Sequence, residues 1–285
     1  MNEFRQRLIH LQAIPAVTRT LLRKIVKVDP QLVDIYSLSP EKISSTYLIK
    51  DQRARIIYKS LHDPNIMKKL DEILQPYSAV TLFDDNFPPL LQAIPDPPFV
   101  LYCFGNDELL HHDPSLSVVG TRTPSKDAYP SMEKILLPLV REGFLLVSGL
   151  ARGIDQLAHS LAVNHNGKTI AVLGSGFKHI YPANDLSLVK KLSENQLIVS
   201  EYPPFTPPKK FHFPERNRII SGLTPATLVV EARERSGSLI TVDQALEQGR
   251  DVFAMPGPVY RETSTGCNQL IQQGAQLVHS YHDLI

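Results

Sequence analysis

Residues 116–155 read LSVVGTRTPSKDAYPSMEKILLPLVREGFLLVSGLARGID, and this stretch decides the fold. An apolar segment at 116–119 ends at Gly120, and a second one at 144–147 ends at Ser148, with a helical pattern between them. The pattern predicts a strand–helix–strand unit whose two strands run parallel in one sheet. The carboxyl ends of parallel strands lie at the same edge of a sheet, where such folds bind their ligands.

Both turns at this edge carry an arginine, Arg122 in the first and Arg152 in the second. Helix N-termini that point at the same edge offer free N–H groups and the positive end of the helix dipole, so they also favour anions. The two turns together therefore predict a ligand that carries phosphate.

The alternation of strand and helix patterns continues to the end of the chain. It predicts strands at 79–83, 99–104, 116–119, 144–147, 169–173, 197–200, 227–231 and 252–254. Such a rhythm is typical of an α/β fold with a doubly wound parallel sheet. Residues 1–65 show only helical patterns and predict a small all-helical N-terminal domain of about four helices. The sheet domain then occupies residues 66–285.

The composition is that of an ordinary globular protein, with 42% hydrophobic and 21% charged residues in a chain of 285. The formal net charge of +1 gives no sign of a nucleic-acid ligand, so any basic surface has to be local. No apolar run approaches the roughly 18 residues that span a bilayer, and we expect no membrane insertion. The two cysteines, Cys103 and Cys267, fit free thiols in a reducing cytoplasm.

Five of the predicted strands end in turns that are rich in small and basic residues. They are GTRTPS (120–125), SGLARGID (148–155), GSGFKHIYP (174–182), the long segment 200–218 and EARERSGSLIT (231–241). Glycine-rich turns are common in doubly wound proteins, but arginine at four of these five turns points to a ligand. The dinucleotide fingerprint GxGxxG and the phosphate-loop pattern are both absent. Polar turns along a whole sheet edge suit an extended polyanion better than a mononucleotide.

The segment 206–218 contains the strongest local indication of nucleic acid. Its basic residues are opposed by a single acid, Glu215, and aromatic residues alternate with them: Lys209, Lys210, Phe211, Phe213, Arg216 and Arg218. Basic side chains that follow phosphates, beside rings that stack on bases, hold single strands without sequence preference. A surface loop anchored by its phenylalanines, with solvated charges, is the alternative.

Residues suited to catalysis show no clear constellation. The ten histidines lack metal-ligand spacing and the turn serines lack a GxSxG context, so we expect neither a metal nor a cofactor. Five acids near strand ends could act in acid–base chemistry, or they could cap helices and pair with arginines: Asp155, Asp185, Glu201, Glu231 and Asp243.

Residues 80–280 contain a series of motifs in a specific order: FPPLLQAIPDPPFVLYCFGN, VVGTRTPS, VSGLARGIDQLAH, AVLGSGFKHIYPAND, SEYPP, FHFPERNRIISGL, VVEARERSGSLITVDQALEQGRDVFAMPG and GCNQLIQQGAQLV. In this order they resemble the DNA-processing protein A family (DprA, also called Smf). The resemblance implies an extended Rossmann-like, mostly parallel sheet that binds single-stranded DNA, in a homodimer. It also implies protection of incoming DNA and loading of the RecA recombinase during natural transformation, without enzymatic activity.

The turns and the resemblance together give a set of expected DNA contacts. They are Gly120, Thr121, Arg122, Ser148, Gly149, Arg152, Gly153, Gly174, Ser175, Lys178, Lys209, Lys210, Phe213, Arg216, Asn217, Arg218, Ser236, Gly237 and Ser238. The resemblance also implies that Ile271 and Leu277 lie on the dimerisation surface and that Gln272 lies in the region that contacts RecA.

An enzyme is the second hypothesis, namely a nucleotide or nucleoside-monophosphate hydrolase that resembles the lysine-decarboxylase-like Rossmann proteins. Those proteins have a PGGxGTxxE turn, to which SGSLITVDQ (236–244) is distantly similar, with Asp243 near the place of the acid. The missing glycines and the missing glutamate count against this reading.

Overall fold

The computed structural model describes residues 3–66, 72, 74–181 and 186–285. In these described residues, the N-terminal region contains five helices: α1 (Glu3–Ala13), α2 (Arg19–Val28), α3 (Asp34–Ser37), α4 (Pro40–Tyr47) and α5 (Asp51–Leu61). Helix α4 begins at Pro40, which suits the first turn of a helix, and the Ser39 side chain caps it by accepting a hydrogen bond from the backbone N–H of Lys42. The sequence predicted about four helices here.

The rest of the chain builds one nine-stranded sheet. Its strands are β1 (Ser78–Thr81), β2 (Val100–Gly105), β3 (Ser115–Val119), β4 (Leu145–Ser148), β5 (Lys168–Leu173), β6 (Leu197–Ser200), β7 (Ala226–Val229), β8 (Asp251–Ala254) and β9 (Gln276–Leu277). The helices between them are α6 (Pro89–Gln92), α7 (Ala128–Arg141), α8 (Ile154–Asn164), α9 (Leu186–Asn195), α10 (His212–Gly222), α11 (Gly237–Glu247) and α12 (Glu262–Gln272). Strand β2 pairs antiparallel with β1 and β6, whereas all other pairs are parallel.

These features confirm the predicted fold class. All eight predicted strands are present, and the two-residue strand β9 is the addition. The segment 200–218, which the sequence predicts to be one long turn, contains the start of helix α10 at His212. Helices cover both faces of the sheet, since one buried apolar cluster contains residues of α7 and α8 and another contains residues of α10 and α11.

The strand order is β1-β2-β6-β5-β4-β3-β7-β8-β9. From β3 the chain progresses in one direction through β4, β5 and β6, and later in the other direction through β7 and β8. The order therefore reverses between β3 and β7. In doubly wound sheets, the crevice at the carboxyl ends of the strands at such a reversal is the usual ligand site.

A single apolar cluster joins the N-terminal helices to the sheet. It contains Leu8 and Ile25 from the helices together with Tyr102 and Leu173 from the strands. Ion pairs from Arg5 to Asp84 and from Arg19 to Asp96 cross the same boundary. The division at residue 65 stays a prediction. Within the described ranges, no helix is long and apolar enough to cross a membrane.

His159 on α8 gives the fold a defined acid sensitivity. Its side chain is fully buried, and its Nδ1 lies 2.7 Å from the Thr169 hydroxyl, which donates to the carbonyl oxygen of Leu146. The imidazole must therefore donate from Nδ1, which leaves Nε2 without a proton and without a partner in the part of the chain described. Burial, and in addition the charge of Arg216, lower the pKa of His159 to about 3.

The lowered pKa predicts that His159 contributes stability above pH 6.5 that is lost as the pH falls from 6.5 towards 3. Between about pH 7 and pH 5 this loss should be about 2 kcal/mol, close to 1.4 kcal/mol per pH unit for one proton. Urea denaturation at both pH values measures it. The His159→Gln variant keeps a donor for Thr169 but does not titrate, so its loss over the same interval should be smaller by that amount. An equal loss in both proteins would contradict the assignment.

Candidate nucleic-acid interface

A cavity of about 790 Å³ opens at the carboxyl ends of β3 and β7, where the strand order reverses. We call it the strand-end pocket. It is lined by Val119, Gly120, Thr121, Arg122, Thr123, Ala151, Asp155, Tyr181, Pro208, Lys209, Lys210, Phe213, Pro214, Arg216, Asn217, Ile220, Arg233, Ser236, Gly237, Ser238, Ile240 and Thr241. The turns after β3 and β7 and the N-terminal parts of α10 and α11 thus form its walls.

The turns after β3, β4 and β7 are bound to one another by backbone hydrogen bonds. The N–H of Thr121 donates to the carbonyl oxygen of Glu231 at 2.7 Å, and the N–H of Ile154 donates to the carbonyl oxygen of Thr121 at 3.2 Å. Gly153 has a φ of 83°, and a Cβ at this position would overlap the Thr121 carbonyl oxygen. Only glycine fits this backbone conformation and this close approach. Arg122 is consequently presented from a rigid edge.

Arg216 forms the floor of the pocket. The side chain, 4% exposed, donates from its guanidinium to the carbonyl oxygens of Gly149 and Val172 and from Nε to the Asn217 side chain. Its charge is balanced by Asp155, which is also buried and accepts hydrogen bonds from the N–H groups of Gly149 and Ala151. Arg216 therefore ties the ends of β4 and β5 to α10.

Burial shifts the pKa of both side chains. Burial raises the pKa of Asp155 to about 6, although the guanidinium of Arg216 opposes the shift. Burial likewise lowers the pKa of Arg216 to about 10, and the nearby charge of Arg122 acts in the same direction. Arg216 therefore remains charged at neutral pH.

Four cations at the rim are exposed, namely Arg122, Lys209, Lys210 and Arg233. Arg233 makes a solvent-exposed pair with Glu262 at 3.7 Å, whereas the other three form no ion pair with any residue in the described ranges. Asp155 is the one carboxylate among the described lining residues, and it faces Arg216. A concave surface with this excess of positive charge attracts anions.

Aromatic rings line one side of the pocket. Phe213 and Tyr181 meet edge to face with ring centroids 5.7 Å apart, and the Tyr181 ring is about half exposed. Next to them the exposed ring of Phe211 has the Lys209 ammonium 5.8 Å from its centroid. Faces of this kind stack on bases and sit beside cations that bind phosphate.

The opposite side is the N-terminus of α11. Ser236 caps this helix, since its hydroxyl oxygen accepts a hydrogen bond from the N–H of Ser238. Gly237 is exposed at the first turn. The free N–H groups of a first turn and the positive end of the helix dipole favour anions, so this wall complements the cations of the rim.

The structure brings many of the predicted contacts together in the strand-end pocket: Gly120, Thr121, Arg122, Lys209, Lys210, Phe213, Arg216, Asn217, Ser236, Gly237 and Ser238. It places the others outside the lining: Ser148, Gly149, Arg152, Gly153, Gly174, Ser175, Lys178 and Arg218. The Ser148 hydroxyl donates to the carbonyl oxygen of Val118, and the Ser175 hydroxyl donates to that of His179. Gly174 lies behind the Phe213 ring.

Arg218 in particular points away from the pocket. Its guanidinium forms two 2.8 Å hydrogen bonds with the carboxylate of Glu201, and both side chains are buried. The helical geometry of α10 explains the difference between two neighbouring arginines, because residues two apart on a helix face different sides. Arg152 and Lys178 are exposed on the surface beyond the pocket.

Sequence reasoning missed several lining residues, among them Tyr181, Thr123 and Thr241. Tyr181 lies in the turn GSGFKHIYP, so its position at a strand end was a usable signal. Thr241 lies on α11, and which face of this helix lines the pocket depends on how it packs on the sheet.

Three of the five acids that the sequence left open have structural partners, namely Asp155, Glu201 and Glu231, and Asp185 lies outside the described residues. Glu201 binds Arg218, and Glu231 accepts hydrogen bonds from the N–H and hydroxyl of Ser125. Neither acid pairs with Arg122 in the described part of the chain. Asp243 is exposed on α11 and does not line the strand-end pocket. A search of the described residues for three or more clustered metal-binding side chains finds none.

The residues expected at a dimer surface lie at the far edge of the sheet. Leu277 is 44% exposed on β9, which is the edge strand next to β8 in the described sheet. Ile271 on α12 is half-buried and packs against the apolar cluster beneath it, and the neighbouring Gln272 is exposed.

Comparison with known proteins agrees with the motifs in the sequence. The family model for DNA recombination-mediator protein A matches residues 78–285. The DNA processing protein DprA of Bacillus subtilis is 41% identical over 221 residues, which are 76% of this chain and 74% of that protein. The DNA processing protein DprA of Streptococcus pneumoniae is 44% identical over 228 residues, 80% of this chain and 79% of that protein.

Solved structures extend the similarity to the fold. The crystal structure of DprA from Streptococcus pneumoniae covers all of this chain with 98% of its own, at a TM-score of 0.86 and 37% identity. DNA processing protein A of Helicobacter pylori, described for its single-stranded DNA binding mode, covers 73% of this chain with 93% of its own, at a TM-score of 0.66 and 29% identity. The order of the motifs, the fold and these matches agree, and the chain belongs to the DNA recombination-mediator protein A family.

Proposed function

We propose that this protein binds single-stranded DNA in the strand-end pocket. The observation that carries the proposal is one cavity that combines cations without an ion pair to any described residue, Arg122, Lys209 and Lys210, with the exposed ring of Tyr181 and the half-buried ring of Phe213. Cations that neutralise phosphates beside rings that stack on bases are the two parts of a single-strand site. The single-stranded DNA binding mode described for the Helicobacter pylori relative supports the proposal.

Single strands should bind better than duplex DNA. The rings of Phe213 and Tyr181 can stack only on bases that are free of a partner strand, and a cavity of about 790 Å³ between rigid turns has room for one backbone. Little sequence preference is expected, because phosphate and stacking contacts carry no base code. Each neutralised phosphate should add about −0.7 to the slope of log affinity against log salt.

We also propose that the protein is not an enzyme. The one carboxylate among the described lining residues, Asp155, is buried and bound to backbone N–H groups, which leaves no exposed acid to activate water. A gel shift with a labelled oligothymidine, run beside a nucleotide-hydrolysis assay, tests both proposals. Binding of the single strand in preference to a blunt duplex, without hydrolysis, is expected. Equal affinity for the two DNAs, or nucleotide turnover that Asp155→Asn abolishes, would contradict them.

Replacing Arg122 by alanine should weaken binding of oligothymidine by about 1.5–3 kcal/mol, the scale of a charge-assisted hydrogen bond. The salt slope should become shallower by about 0.7, the share of one phosphate. The melting temperature should stay unchanged, since Arg122 is exposed and pairs with no carboxylate in the described residues. Fluorescence anisotropy at several salt concentrations measures both effects. The matched control is Arg141→Ala, which removes an exposed arginine at the end of α7, and wild-type affinity in Arg122→Ala would remove this residue from the site.

We further infer that the protein acts in the cytoplasm during natural transformation, where it protects incoming strands and loads the RecA recombinase. The description of the matched family as a recombination mediator supports this role. Gln272 is exposed on α12, beside the candidate dimer surface, and is available to a partner. Gln272→Glu should reduce the stimulation of RecA ATPase on coated single strands while oligothymidine binding stays at the wild-type level. Full stimulation by this variant would exclude Gln272 from the contact.

We propose a homodimer through the face that contains Ile271 and Leu277. A two-fold contact needs an apolar patch that matches itself, and Leu277 on the edge strand β9 supplies exposed apolar surface. Leu277→Glu should give a folded monomer in light scattering, with a melting temperature that depends less on protein concentration. Ile271→Glu should do the same at some cost in stability, because this side chain also packs on the core. A folded Leu277→Glu protein that remains dimeric would contradict the assignment.

A further inference from the structure

Two neighbouring segments of the chain extend away from the wall of the strand-end pocket that contains the aromatic rings. One ends at Tyr181 and includes the turn after β5, residues 174–181, and the other ends at Pro208 and includes residues 203–208. Residues 174–181 and 203–213 together contain three lysines and two histidines and no carboxylate. The described surface next to the pocket therefore continues its positive charge.

Backbone hydrogen bonds hold these two segments together. The N–H of Gly176 donates to the carbonyl oxygen of Thr206, and the N–H of Lys178 donates to that of Pro204, each at 2.9 Å. A Cβ at Gly176 would overlap the carbonyl oxygen of Pro203, so the two chains touch where a side chain would not fit. The turn is anchored from below by Phe177, whose buried ring packs against other aromatic rings.

The two segments present two exposed side chains, Phe205 and Lys178, that do not line the strand-end pocket. Phe205 is 49% exposed and lies in a turn with rigid prolines on both sides of it in the sequence. Its ring contacts no other aromatic ring among the described residues. Lys178 is exposed on the adjoining segment and forms no ion pair with any described residue. A half-exposed phenylalanine without an aromatic partner, held by a stiff backbone beside a lysine, loses little conformational entropy when a ligand covers it.

We propose that Phe205 and Lys178 form a second single-strand contact, which receives the nucleotides that leave the strand-end pocket past Tyr181. This inference rests on the proposed function. The Phe205 ring stacks on a base and the Lys178 ammonium neutralises the adjacent phosphate, so the strand is bound along a continuous path of rings and cations. The pocket alone then accounts for the binding of short oligonucleotides, and the second contact increases the affinity for longer ones.

The proposal is tested with the chain of 285 residues and two oligothymidines, one of about 4 nucleotides and one of about 16, the range over which single-strand sites of this kind vary. For the longer DNA, Phe205→Ala should lower the affinity about fivefold or more, and Lys178→Ala should make the salt slope shallower by about 0.7. For the shorter DNA, both variants should bind like wild type. Phe205→Trp should retain the affinity for the longer DNA, because the indole keeps a stacking face.

Phe83→Ala is the matched control, since Phe83 is 50% exposed but lies outside both segments. It should bind both oligonucleotides like wild type. Wild-type affinity of Phe205→Ala for the longer DNA would overturn the second contact and leave the pocket in place. An equal loss for both lengths would also overturn it, because Phe205 would then act through the pocket. A wild-type protein that binds neither oligonucleotide would overturn the proposed function itself.

Discussion

Replacing Arg216 by methionine should lower the free energy of unfolding by about 2–5 kcal/mol, because two carbonyl oxygens lose a buried donor at about 1–3 kcal/mol each and buried Asp155 loses a nearby positive charge. Methionine fills much of the volume but leaves Asp155 without its counter-charge and the carbonyl oxygens of Gly149 and Val172 without a donor. Urea denaturation followed by circular dichroism measures the change. Affinity for oligothymidine should fall as well, because the turn after β4 loses the side chain that ties it to α10.

A second variant separates lost charge balance from lost packing. Asp155→Asn in the Arg216→Met background removes the uncompensated charge, so the double variant should be more stable than Arg216→Met alone. The cycle of two single variants and the double variant gives the coupling free energy of the pair. A coupling near zero would mean that Asp155 and Arg216 do not stabilise each other.

Arg218→Met should destabilise the protein by up to about 3–5 kcal/mol, since the buried carboxylate of Glu201 loses two 2.8 Å hydrogen bonds and keeps Arg19, 3.7 Å away, as its ionic partner. Unlike Arg216, Arg218 does not line the strand-end pocket, so folded Arg218→Met protein should bind oligothymidine with wild-type affinity. Thermal unfolding and anisotropy at a temperature where the variant is folded measure the two effects. Weaker DNA binding by the folded variant would restore Arg218 to the set of contacts.

Arg23→Met is the control for this substitution. Arg23 and Arg218 both pair with Asp96, but Arg23 is half exposed and Arg218 is 5% exposed. Exposed pairs contribute at most about 1 kcal/mol, so Arg23→Met should change stability little. Equal losses in the two variants would contradict the role of burial.

The position of the pocket followed from the sequence to a large extent. Gly120 and Arg122 come directly after an apolar strand, and parallel strands place all such turns at one edge. The order of the strands did not follow, because the neighbours of β3 are set by packing of the helices on both faces. Only the structure shows that the turns after β3 and β7 lie together and that the pocket opens there.

The arginines of FHFPERNR show where sequence reasoning stops. Arg216 and Arg218 have the same charge and similar neighbours in the chain as the exposed Lys209 and Lys210. Their roles depend on acids distant in sequence, Asp155 for one and Glu201 for the other. Both guanidinium groups are buried, on different sides of the helix that begins at His212, and no local pattern in the sequence identifies their partners.

The apolar cluster shared by the N-terminal helices and the sheet makes the folding of these two regions interdependent. Leu8 and Ile25 are shielded from water by the same cluster that shields Tyr102 and Phe177, so the N-terminal helices share their core with one part of the sheet region. Opening the contact between them would expose apolar surface on both sides at once, which is the basis of cooperative unfolding. The helices and the sheet should accordingly behave as one cooperative unit, and the N-terminal region cannot swing away from the DNA site as a separate module without partial denaturation.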